Sequence, residues 1–187
     1  MANLKEIRSR ISSVASTMQI TSAMKMVSAA KLKRAQDAIT QMRPYANKLT
    51  ELLQNLTASL DSSEGGAYSA KRNVKNVLIV AISSNRGLCG GFNTNIIKSV
   101  NNLISVEYSK KQVDVISIGK KTSEYFTKNN LVPIEVYDEL FTDLTYENVV
   151  QIADGIMKSY LSEKYDKVIL IYNQFKNAAT QIIMKEN

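Results

Sequence analysis

The sequence predicts an α/β protein in two parts: a long N-terminal coiled-coil helix, then a Rossmann-like, doubly wound, mostly parallel sheet domain. Three observations predict it. Residues 1–64 contain no glycine and a single proline, Pro44, and are rich in the helix formers Ala, Met, Leu, Lys, Arg and Gln. Turn residues then cluster at Asp61-Ser62-Ser63-Glu64-Gly65-Gly66. Beyond them, short continuous apolar runs alternate with stretches of helical spacing, as expected for strands covered on both faces and joined by crossover helices. The boundaries expected are 1–60 for the long helix, 61–73 for a linker and 74–187 for the α/β domain.

Within the first part, Leu4, Ile7, Ile11, Val14 and Met18 fall at alternating steps of three and four, the seam of a coiled coil. The apolar line then moves to a displaced stripe through Ile20, Met24 and Val27, and continues with Ala35, Ile39 and Met42. Leu49, Leu52, Leu53 and Leu56 resume the periodicity beyond Pro44, so the proline is expected to kink the helix near Arg43 rather than end it. About 55 residues at 1.5 Å per residue give a rod of roughly 80 Å. An apolar seam of that length needs a second helix to cover it, and the later helical stretches are too short to do so.

In the second part, Val77–Ile82 is a continuous apolar run of strand length. Val113–Ile118, Val132–Tyr137 and Val168–Tyr172 read as further strands, with Thr180–Met184 as an edge strand. Residues 94–109, 120–129 and 145–162 have helical spacing between them.

Composition removes much chemistry. The chain has 187 residues and no histidine, so imidazole bases, Ser-His and Cys-His pairs and His-ligated metals are excluded. One cysteine, Cys89, excludes a disulfide scaffold, and the N-terminus shows no signal-peptide pattern, so a cytoplasmic setting is expected. Charge is uneven. Residues 1–60 hold nine basic and three acidic residues, +6 of the net +7, so the partners of this stretch should be negative.

Several motifs have both a functional and an ordinary reading. The loop Ser83-Ser84-Asn85-Arg86-Gly87-Leu88-Cys89-Gly90-Gly91-Phe92-Asn93 stands between a strand and a helix start, where phosphates are cradled in such folds. Its G-x-x-G-G spacing matches neither phosphate-loop pattern, and a tight loop carrying Arg86 to a partner is the better reading. Cys89 lacks a base and reads as structural. Gly119-Lys120-Lys121-Thr122 fails the Walker A pattern and reads as an ordinary strand-to-helix turn. Asp138, Glu139 and Asp143 lack a metal-loop spacing and read as solvated. The basic run Lys25, Lys31, Lys33 and Arg34 could grip nucleic acid, but it has no interleaved aromatic residue before Tyr45, and an acidic protein partner fits better.

The segments Leu4-Lys5-Glu6-Ile7-Arg8-Ser9-Arg10-Ile11, Gln19-Ile20-Thr21-Ser22-Ala23-Met24-Lys25-Met26-Val27, Arg43-Pro44-Tyr45 and Ser84–Asn93 together resemble the gamma-subunit family of F-type ATP synthases, in order along the whole chain. The resemblance implies a non-catalytic central-stalk subunit that couples proton translocation to ATP synthesis or hydrolysis by rotating within the alpha/beta hexamer, and it implies no cofactor or metal. It implies shaft contacts with alpha and beta subunits at Ile20, Met24, Lys25, Met26, Lys31 and Arg34, with Ser22, Ala23, Ser28, Ala29 and Ala30 keeping that surface smooth. It further implies a foot-domain interaction loop at Arg86, Gly87, Cys89, Gly90 and Gly91, facing epsilon and the c-ring. Family members continue into a second long helix, which would cover the seam. The regulatory cysteine pair of chloroplast members has no counterpart in Cys89 alone. A peripheral place on the cytoplasmic side of a bacterial plasma membrane, touching the membrane only through Fo, follows from the resemblance. The alternative is a basic-helix nucleic-acid-binding protein on an α/β scaffold, and third comes a phosphorylated-ligand enzyme built on Gly87, Gly90 and Gly91.

Overall fold

The computed structural model describes residues 3–59, 68 and 72–187, so most of the expected linker, residues 61–67 and 69–71, lies outside the described residues. The chain divides into two units, Met1–Gly65 and Gly66–Asn187.

The first unit is built on one helix, α1 (Leu4–Ser59, 56 residues). Asn3 starts it: its carbonyl accepts Ile7 N–H at 3.1 Å and its side chain accepts Lys5 N–H at 3.3 Å, satisfying donors that have no partner within the helix. Glu6 in the first turn favours the positive end of the helix dipole and pairs with Arg10 at 3.0 Å. Pro44 lies inside the helix without ending it. The proline removes one backbone bond, and the strong helix formers on both sides carry the helix through. Thr17, Thr21, Thr40 and Thr50 donate to the carbonyls of Ser13, Thr17, Gln36 and Ala46, at 2.8 to 3.0 Å, so these hydroxyls are satisfied within the helix itself.

The second unit is a five-stranded sheet of β1 (Asn76–Ile82), β2 (Gln112–Ile118), β3 (Glu135–Val136), β4 (Lys167–Phe175) and β5 (Gln181–Glu186), in the order β3-β2-β1-β4-β5. The first four strands run parallel and β5 pairs antiparallel to β4 at the edge. Val77 to Ala81 of central β1 are all buried, which is why their run shows no alternation. On one face α2 (Phe92–Asn102), a π-helical turn (Leu103–Glu107) and α3 (Lys120–Lys128) pack Ile96, Val100, Leu103 and Phe126 on Val77, Ile79, Val115 and Ile169. On the other, α4 (Tyr146–Leu161) packs Ile152 on Leu78, Val80 and Ile116. Helices on both faces make the sheet doubly wound.

Four boundaries differ from expectation. Val132–Tyr137 contributes only Glu135–Val136 to the ladder. Pro133 has no N–H to give it, although Ile134 and Tyr137 still donate to Val115 and Ser117 of β2. The helix expected over 94–109 begins at Phe92 and gives way to the π turn after Asn102. Strand β4 runs on to Phe175 because it pairs with β5 through Phe175 and Gln181. Likewise β5 reaches Glu186, where Tyr172 hydroxyl donates to the Glu186 carboxylate at 2.7 Å.

The start of β1 is fastened to the turn before β4. Asp166 accepts the N–H groups of Lys75 at 2.8 Å and Asn76 at 2.9 Å, and the Asn76 bond, followed by that of Lys75, holds its carboxyl below the usual range. A carboxyl lowered in the folded state supports folding above its unfolded value and loses that support as pH falls through the folded one. Urea unfolding should therefore show stability falling below about pH 4, and Asp166→Ala should flatten that fall; an unchanged acid limb in the variant contradicts the assignment.

Candidate functional site

The loop after β1 is held by amide and hydroxyl groups. Asn93 is buried at the start of α2, where its Oδ1 accepts Ser84 N–H at 3.0 Å and its Nδ2 donates to the Arg86 carbonyl at 3.0 Å. The same Nδ2 lies 3.2 Å from the Cys89 sulfur, and Ser84 hydroxyl donates to the Arg86 carbonyl at 2.6 Å. One side chain thus pins both ends of the Ser84–Cys89 turn. Gly90, at φ 60°, takes the left-handed conformation that glycine adopts without steric cost. Leu88 adopts a similar φ of 57° and is fully exposed, and Arg86, Gly87, Cys89, Gly90 and Gly91 are exposed beside it. The five expected loop residues are therefore brought together and presented outward.

The neighbouring turn locks the loop's root. At Gly119 φ is 106°, and a Cβ added there would meet the Ser83 carbonyl oxygen at 2.3 Å, so only glycine fits. The close approach lets Ser83 N–H donate to the Ile118 carbonyl at 2.8 Å and brings the hydroxyls of Ser83 and Ser117 to 2.9 and 2.6 Å from that of Thr122. Asn85 Oδ1 accepts Lys120 N–H at 3.0 Å, while its Nδ2 donates to the Asp138 carbonyl. Sequence reading treats Gly119–Thr122 as an ordinary turn and overlooks this contact, because the partner, Ser83, lies 36 residues away. Asp138, read as solvated, accepts Ser123 hydroxyl at 3.0 Å. Beside Cys89, Lys121 pairs with Glu124 at 2.7 Å and lowers its carboxyl pKa. A crevice of 670 Å³ opens at the carboxyl end of β1, lined by Ser83, Arg86, Phe92, Phe141 and Tyr172. Among the described residues no cluster of three metal-ligating side chains occurs.

On α1 the seam residues Leu4, Ile7, Ile11, Val14 and Met18 are all exposed, Leu4 to 73% and Met18 to 68%. At 100° per residue they occupy one face, and Thr21 and Lys25 continue their line; Val14, Met18, Thr21 and Lys25 border one shallow groove. Ile20, Met24, Lys31 and Arg34 fall within an arc of about 80° on the opposite face. The six expected contact residues therefore do not form one surface: four share a face, Lys25 lies on the seam and Met26 points between. Lys25, Lys31, Lys33 and Arg34 make no ion pair within 4.0 Å among the described residues. No described helix is long and apolar enough to cross a membrane.

A family profile described as ATP synthase matches residues 3–187. Curated relatives share this pattern over the whole chain: the ATP synthase gamma chain of Flavobacterium johnsoniae is 63% identical over 186 residues, covering 100% of this chain and 64% of the relative. That of Cytophaga hutchinsonii is 50% identical over 190 residues, covering 100% and 64%. The chain thus spans a little under two thirds of these relatives' length. Among solved structures, the central stalk and c-ring of the Tetrahymena thermophila mitochondrial ATP synthase is similar at TM-score 0.67 and 26% identity, covering 89% of this chain and 70% of that one. The rotor of the Euglena gracilis mitochondrial enzyme shares the fold at TM-score 0.60 and 21% identity, covering 96% and 60%. Nothing among these relatives favours a nucleic-acid-binding protein.

Gly119→Ala should lower the stability of the α/β unit by about 3 kcal/mol or more in urea unfolding, since neither the φ nor the Ser83 carbonyl accommodates a methyl group; an unchanged midpoint contradicts the close approach. Asn93→Ala should cost about 1–3 kcal/mol and speed thiol labelling of Cys89, and labelling at the parent rate would show that Asn93 does not hold the loop.

Proposed function

The chain belongs to the ATP synthase gamma family, and from that premise we propose that it forms the central-stalk shaft and foot of an F-type ATP synthase, coupling proton flow to ATP turnover by rotating inside an alpha/beta hexamer. The observation that carries this reading is the gamma-chain match over the full chain at 63% identity. In it residues 1–60 are the shaft, 61–73 a link and 74–187 the foot. The exposed seam of α1 supports it independently, because a single helix with an apolar line in water is stable only when a second helix covers that line. In the longer relatives the remaining third of the chain offers the material for such a helix.

Such a shaft needs no chemistry from its own side chains. Its work is mechanical and thermodynamic: each orientation offers a different surface to each of three beta subunits, and differential contact shifts each nucleotide site among states of unequal affinity. Two opposite faces of α1 divide the labour. The seam, with Lys25 in its line, faces the second helix. Ile20, Met24, Lys31 and Arg34 face outward to alpha and beta, where Lys31 and Arg34 meet acidic loops. The small side chains of Ser22, Ala23, Ser28, Ala29 and Ala30 keep the remaining surface low. At the foot, the pinned loop presents Arg86 with Gly87, Cys89, Gly90 and Gly91 to epsilon and the c-ring. The complex acts on the cytoplasmic side of the membrane, with this subunit peripheral to it.

In inverted membrane vesicles carrying the assembled complex, Met24→Lys or the pair Lys31→Glu and Arg34→Glu should lower ATP-driven proton pumping severalfold relative to ATP hydrolysis. Lys25→Glu should act differently, weakening assembly through the seam. Full coupling in the first two variants, with assembly intact, would contradict the outward face assigned here.

A further inference from the structure

We propose that Leu88 is the anchor of the foot loop, entering an apolar pocket rimmed by carboxylates on a neighbouring subunit. This rests on the reading of Ser84–Asn93 as an interaction loop, and it adds a residue that the family resemblance passes over in favour of Arg86, Gly87, Cys89, Gly90 and Gly91.

Two unfavourable features meet at Leu88. Its exposure is 110%, against 79% for Tyr146, the next large hydrophobic side chain among the described residues. A lone exposed leucine is ordinary on a protein surface. This one also sits at φ 57°, where its Cβ crowds the following carbonyl oxygen. Among the described residues two other non-glycine positions have positive φ, Asn130 and Glu163, and both follow the ends of helices, α3 and α4, where a left-handed residue closes the helix. Leu88 closes no helix. Gly90, two residues on, takes nearly the same φ with no side chain to crowd.

The turn around Leu88 is fastened on both sides. Buried Asn93 binds the Ser84 N–H and the Arg86 carbonyl, Ser84 hydroxyl donates to the same carbonyl at 2.6 Å, and Phe92 N–H donates to the Cys89 carbonyl at 3.3 Å. Leu88 borders a hollow of 340 Å³ lined also by Ile97, Lys121 and Tyr125, yet its side chain stays in water instead of filling it. A backbone fixed in this way has little entropy left to lose on binding. Left-handed strain of this kind persists only where the surrounding structure over-determines it, and it gathers where a chain meets its ligands.

The charges nearby select the partner. Arg86 and Lys128 make no ion pair within 4.0 Å among the described residues, and Glu124 is shared by Lys121 at 2.7 Å and Lys120 at 4.0 Å. Asp138 is bound to the Ser123 hydroxyl at 3.0 Å. Two carboxylates thus stand against four cations, so a complementary pocket is apolar at its centre and acidic at its rim.

In urea unfolding of the full chain, Leu88→Asn should keep the parent midpoint or raise it, because asparagine tolerates the left-handed conformation and no buried contact is lost. In complex purified from source cells, a photo-reactive leucine analogue at position 88 should crosslink to one neighbouring subunit, within a peptide that carries apolar residues and carboxylates. That subunit should dissociate on the order of tenfold to a hundredfold faster from complex carrying Leu88→Asn, the range expected for burying one leucine side chain. Leu88→Met, which keeps an apolar anchor, should release it at close to the parent rate. A fall in the urea midpoint of Leu88→Asn shows that Leu88 serves the fold and overturns the proposal. So does complex that holds alpha and beta subunits while position 88 captures no subunit, or from which the two variants release the subunit at the same rate. Complex without alpha and beta overturns the shaft reading together with this one.

Discussion

Everything in the α/β unit depends on one strand being buried from both sides. Val77, Leu78, Ile79, Val80 and Ala81 leave β1 no solvent-facing residue, so parallel neighbours must satisfy its backbone on each edge and helices must cover each face. In the order β3-β2-β1-β4-β5 that strand is central, with α2 and α3 covering one face and α4 the other. It also delivers the chain, at the carboxyl end of β1, to the place where a loop can be shown to a partner.

The first unit obeys the opposite constraint. Along α1 the described apolar residues of the seam are exposed, and Lys31 and Arg34 on the far face make no ion pair among the described residues. A helix of 56 residues with two unfulfilled faces has sites for two kinds of neighbour, one apolar and helical, one acidic. Helical spacing puts Lys25 in line with the apolar seam and Lys31 on the opposite face.

The strands buried on both faces were legible because nothing but burial explains six apolar residues in a row. Helix α1 was legible because a glycine-free run with three-and-four spacing has few other solutions. The bounds of β3 were not, since its shortening to two residues beside Pro133 depends on where β2 already lies, and the π turn after α2 leaves no mark in hydrophobic period. At the site, the glycines and Arg86 announced a tight loop. Its fastenings did not announce themselves: Asn93, Asn85, Ser83 and Thr122 look like ordinary polar residues until the fold brings β1 and β2 together, and Gly119 shows its necessity only against the Ser83 carbonyl. The division of α1 into two faces was available from helical spacing alone, yet a contiguous segment hides it, because neighbours in sequence such as Met24, Lys25 and Met26 point in three directions.

The central claim is that α1 is enclosed by alpha and beta subunits in the working complex. Photo-crosslinking from a residue analogue at Ile20, followed by mass spectrometry of the partner in complex purified from source cells, addresses it directly. Crosslinks to alpha or beta, with none to nucleic acid, are the expected result. A complex without alpha and beta, or an Ile20 position that captures neither, would contradict the shaft.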